Sequence, residues 1–78
     1  MRLRERRLIV AFYTTHDAMA FEDFCLARNA PGRLIPLPRE ISAGCGLAWS
    51  APPGGGEGIR ELLEAAGITP QHVKELEI

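Results

Sequence analysis

Seventy-eight residues suffice for one domain spanning 1–78 with a thin core, because a chain of that size hides only about 60% of the surface its unfolded form exposes. Nine Lys and Arg against ten Asp and Glu leave a formal net charge of −1, so no chain-wide field favours nucleic acid or an anionic membrane, and neither is expected as a partner. The longest apolar run, Leu8 to Tyr13, is far short of the roughly 18 residues that span a bilayer, and no charged-then-apolar signal segment opens the chain; a cytoplasmic location is expected.

The chain starts with Arg2, Arg4, Arg6 and Arg7, four of the nine basic residues. Residues 1–6 read as a flexible, solvated terminus in preference to a phosphate-binding arm. Leu8 to Tyr13 is apolar on both faces, which fits a central strand. It stops at "TTHD", where Thr14 and Asp17 have the form of a capping box. Ala18, Phe21, Cys25 and Arg28 then follow at helical spacing, with Glu22 and Asp23 facing away. The helix ends at "NAPG", where Asn29 tolerates a left-handed conformation and Pro31 forbids continuation.

"RLIPLP" reads as an edge strand, since Pro36 and Pro38 cannot donate to a ladder. "REISAG" is a polar turn, and "CGLAWSA" a second inner strand that Cys45 begins. "PPGGGEG" is a loop and a flexible entry to a helix, whose three consecutive glycines look like a spacer; without a Gly-Lys-Ser/Thr ending it is a poor phosphate cradle. Ile59, Leu62, Leu63 and Ala66 mark an amphipathic helix ended by Gly67, and "HVKELEI" closes as a strand. Strand, helix, strand, strand, helix, strand is the ferredoxin-like split βαβ plan, an α+β fold with two helices on one face of a four-stranded antiparallel sheet.

Right-handed crossovers make the first two strands parallel and insert the third between them in the opposite sense. The end of strand one, the start of helix one, the turn after strand two and the start of strand three then share one sheet edge. Thr14, Thr15, His16, Arg39 and Cys45 are therefore expected neighbours. A helix N-terminus, a nearby Arg39 and a protonatable His16 are the surroundings that favour a thiolate, the reactive form of cysteine. Gly44 and Gly46 let another molecule approach the sulfur closely.

Each feature has a plainer reading. Cys45 can be a small core residue, Arg39 can pair with Glu40 or Asp17, His16 can be an exposed spectator, and Cys25 fits the apolar stripe beside Phe21. Two cysteines twenty positions apart form neither a CxxC pair nor part of a Cys/His cluster, so no metal site and no structural disulfide is expected. A Cys25–Cys45 redox switch would need Cα atoms within about 7 Å, which a cysteine deep in the helix and one at the strand edge do not suggest.

Over nearly the whole chain from Leu8 to Ile78, the sequence resembles a family of small bacterial selenium/sulfur carrier-like proteins. The resemblance rests on "TTHDAM" at Thr14 to Met19, on "RLIPLPREISAGCGLAW" at Arg33 to Trp49, and on "ELLEAAGI". It implies that Cys45 carries sulfur or selenium as a persulfide or selenosulfide, with Arg39, Ser42, Gly44 and Gly46 as the motif around it. The Arg-rich start and "PPGGGEG" are particular to this chain and do not touch that motif. A carrier needs donor and acceptor proteins, a covalently held atom and no other cofactor; a carrier protein is expected in preference to a free-standing enzyme. The alternative is a noncatalytic small-ligand or regulatory module in which Cys45 only packs. Because helices cover one face alone, the other side of strand one is expected to be an open surface for a homodimer or partner.

Overall fold

The computed structural model describes residues 5–42 and 44–78, so the expectations for Arg2, Arg4 and the rest of residues 1–4 lie outside the described residues. The first strand, β1 (Arg6–Phe12), sends alternate side chains into two different apolar clusters. It is followed by α1 (Thr15–Ala27), β2 (Arg33–Pro36), β3 (Leu47–Ala51), α2 (Gly56–Ala66) and β4 (Pro70–Glu77). The sheet has the order β2-β3-β1-β4, and all three neighbouring pairs are antiparallel. This is the α+β ferredoxin-like arrangement.

Local chemistry explains the element ends. Thr14, in extended conformation, accepts the Asp17 N–H on its hydroxyl at 3.1 Å and so caps α1. Asn29 takes φ 55° just past the helix, as the "NAPG" reading requires. Gly67, at φ 72°, ends α2 with its N–H on the Glu64 and Leu63 carbonyls.

The main core lies between sheet and helices. Leu8, Val10 and Phe12 of β1 meet Ala18, Phe21 and Cys25 of α1, Trp49 of β3, and Ile59 and Leu63 of α2. The Phe21 ring lies 5.6 Å from Phe12 and 5.7 Å from Trp49, the latter edge-on at 83°. Such pairs contribute about 0.5–1.5 kcal/mol beyond the area they bury. Arg28 is not part of this stripe: it is exposed, with its guanidinium 3.5 Å from the centre of the Phe24 ring.

Three expectations need correction. Arg6 is not part of a frayed terminus but the first residue of β1, with Nε 2.9 Å from Glu75 Oε1. "PPGGGEG" is not a free spacer, because Gly56 opens α2 and the Gly54 N–H is held by Glu75 Oε2 at 3.0 Å. Those contacts, the Gly54 N–H foremost and Arg6 next, hold the Glu75 carboxyl below the usual carboxylate range.

The third correction concerns the sheet face away from the helices. Ile9 and Ala11 are not open there but fully buried, with Ala48 and Ile41, and with Ile35, Leu37, Leu76 and Ile78 around them. The reason is the β2–β3 connection, whose "polar turn" contains one large apolar residue, Ile41. Ile41 donates its N–H to Pro38 O at 3.1 Å, and this turn brings the Ile41 side chain onto β1 and β3. The bare apolar surface that suggested a homodimer is thus covered from within the chain.

Candidate functional site

The connection that buries Ile41 leads directly to Cys45. Cys45 does not begin β3 as expected; it lies in a bend two residues before Leu47, between Gly44 and Gly46. Gly46 has φ 74°, a left-handed conformation that a side chain would strain, and its carbonyl accepts the Leu37 N–H at 2.9 Å. At Gly44 a Cβ would stand 3.0 Å from Tyr13 O. The bend therefore packs against the end of β1, the sheet edge where the topology placed it, and glycine is what permits the approach.

Cys45 is half-buried, with its inner side on the main core. Its Sγ donates to Leu47 O at 3.1 Å and accepts the Leu47 N–H at 3.4 Å. Converted to a thiolate or bearing an anionic cargo atom, the sulfur keeps the amide as a donor and loses the carbonyl as an acceptor. Both cysteines are free thiols.

Two residues that the sequence reading missed hold the bend. A register irregularity between Ala11 and Phe12 places Ala11 opposite His72 and Phe12 opposite Pro70, leaving Gln71 as the extra residue of β4. Bulges of this kind re-aim a side chain, and here Gln71 Oε1 accepts the Gly44 N–H at 3.3 Å. His72 Nε2 donates to Ser42 O at 3.1 Å. Gln71 and His72 also line a depression of about 480 Å³ formed by α2, the α2–β4 connection and the start of β4, with Leu63, Ile68 and Val73 in its wall. In sequence the only trace of this role is a pair of polar residues straight after Pro70.

The other expected site residues are placed less tightly. Ser42 contributes its carbonyl, to His72. Thr14 uses its hydroxyl on the helix cap. Thr15 and His16 are exposed in the first turn of α1, whose end carries the helix's free amides and partial positive charge. Arg39 is exposed in the turn after β2. Among the described residues neither His16 nor Arg39 forms a side-chain hydrogen bond or ion pair, so Arg39 pairs with neither Glu40 nor Asp17 and no hydrogen bond joins either residue to Cys45. Among the described residues there is no group of three or more His, Cys, Asp or Glu side chains able to hold a metal, and no helix long and apolar enough to cross a membrane.

No curated protein and no solved structure matches the chain. A family model described as "Putative Se/S carrier protein-like" matches residues 7–75, which takes in β1, the Cys45 bend and the bulge of β4. The chain belongs to that family.

Proposed function

We propose that this protein carries sulfur or selenium on Cys45 between a donor and an acceptor protein. The observation that carries the reading is the setting of Cys45: a free, half-exposed thiol in a glycine-flanked bend, with a backbone N–H on its sulfur. A donor persulfide supplies the cargo. Cys45 thiolate attacks the outer sulfur, a new S–S bond forms, the donor's S–S bond breaks, and the electron pair leaves on the donor thiolate, which takes up the proton released by Cys45. A donor selenosulfide delivers selenium in the same way. Unloading reverses the roles, with a nucleophile of the acceptor attacking the outer atom and Cys45 leaving as thiolate.

In this scheme the Leu47 N–H stays on the inner sulfur, while the α1 amides at Thr15 and His16 and the exposed Arg39 meet the charge of the outer atom when a partner is docked. No second base is needed, because the leaving thiolate accepts the proton. The packing of Cys45 on the core is the one observation that favours a merely structural role. Intact mass after incubation with a cysteine desulfurase and either cysteine or selenocysteine, which load the desulfurase as persulfide or selenosulfide, separates the two. Addition of one sulfur or selenium atom, reversed by reductant and lost in Cys45→Ser, is expected; absence of any Cys45-dependent addition sinks the carrier reading.

A further inference from the structure

The sheet face away from the helices carries an unbalanced stripe of cations. Register aligns Arg33 with Ser50, Ser50 with Ile9, and Ile9 with Lys74, so one row of residues crosses all four strands on that face. Three strand spacings of about 4.8 Å make the row about 14 Å long. Arg7, two residues before Ile9 on the same face, reaches into the row: its Nε donates to Ser50 Oγ at 2.9 Å and its Nη2 to Ser50 O at 3.3 Å. The Arg7 guanidinium is thereby seated over the residue that Arg33 flanks. Like charges in neighbouring positions of a sheet are destabilising.

Among the described residues no acid is paired with them. Glu75 and Glu77 of β4 stand opposite Leu8 and Arg6, which puts both on the helix side, where Glu75 forms the only ion pair among the described residues. Glu5 is on the cationic face beyond Arg7, exposed and in no ion pair with another described residue. Arg7 is half-buried, with neutral oxygens as its only recorded acceptors, while Arg33 and Lys74 are exposed. Apolar Ile35 and Leu76 flank the stripe, and no strand residue on this face is aromatic. Single-stranded nucleic acid on an open sheet is gripped by aromatic stacking; carboxylates are gripped by guanidinium forks.

We propose that this face is a docking surface for an acidic, extended segment of a partner protein, whose carboxylates are received by Arg7, Arg33 and Lys74. The proposal does not depend on the chemistry of Cys45. Fluorescence anisotropy with a labelled Glu-Gly-Glu-Gly-Glu-Gly peptide tests it, with a Lys-Gly peptide and single-stranded oligothymidylate as comparisons. The acidic peptide is expected to bind at low salt and to weaken as salt screens the pairs. Binding should fall at least about tenfold in Arg33→Glu/Lys74→Glu, fall less in Arg33→Gln/Lys74→Gln, and persist in Cys45→Ser and in Arg2→Ser/Arg4→Ser. Both Arg33/Lys74 double variants alter exposed side chains, and circular dichroism checks that each variant is folded. No binding of the acidic peptide, binding indifferent to the Arg33/Lys74 substitutions, loss only with Arg2 and Arg4, or tighter oligothymidylate binding through the same residues would overturn the proposal.

Discussion

The two cysteines of this chain sit in opposite physical settings, although both touch the same core. Cys25 points from the last turn of α1 into the cluster of Phe21, Phe12 and Trp49 and is fully buried. Burial pushes its thiol above the usual range, against a smaller downward pull from the Arg28 charge. Cys45 is half-exposed between two glycines, with a backbone N–H on its sulfur. Identical chemistry is thus spent once on packing and once on presentation, and the surrounding backbone decides which.

Variants can break or sharpen that contrast. Phe21→Ala, which empties the aromatic centre beside Cys25, should cost about 3–5 kcal/mol, much of the stability of a small domain. Its urea midpoint should fall steeply, and an unchanged midpoint would remove Cys25 from a structural core. Cys25→Ser places a hydroxyl in the same apolar cluster, and a loss of about 1–3 kcal/mol is expected with sulfur loading intact. Loss of loading in a variant that remains folded would assign Cys25 a part in the chemistry.

A smaller effect belongs to the other cysteine. Gln71→Ala removes the acceptor of the Gly44 N–H, a change of about 1 kcal/mol. Faster amide hydrogen exchange at Gly44, with the core amides unchanged, would show that the bulge holds the Cys45 bend; unchanged exchange would show that it does not. The smallest effect lies far from both thiols. Because the folded Glu75 carboxyl titrates below its unfolded value, its contribution is present at neutral pH and is lost as pH falls through the folded value. The midpoints of wild type and Glu75→Gln should therefore differ at neutral pH and converge in acid. A gap independent of pH would contradict this account of Glu75.

The fold was legible because its signals are local. The capping Thr14, the left-handed Asn29, the two prolines around β2 and the helical spacing of Ile59, Leu62, Leu63 and Ala66 each act within a turn or two, and chain-order rules then leave one economical topology. The one large apolar residue in "REISAG" was harder to interpret, since nothing local says that Ile41 folds across β1. Gln71 and His72 were invisible for a related reason: a bulge is a mismatch between two strands, and one strand's sequence does not display it. Cys45 was singled out by its glycine neighbours, and the topology correctly placed its bend against the end of β1. The expected proximity of Arg39 and His16 depended on side-chain reach, which topology does not fix.

The contrast between the thiols is tested most directly by residue-resolved alkylation of the native protein, followed by mass analysis of the Cys25 and Cys45 peptides over time. Reaction at Cys25 requires opening of the α1 core, and an opening cost of about 3 kcal/mol already slows it about a hundredfold. Cys45 should be modified at least about a hundredfold faster than Cys25, and the gap should vanish in denaturant. Comparable native rates, or prior modification of Cys25, would contradict the assignment of Cys45 as the presented thiol.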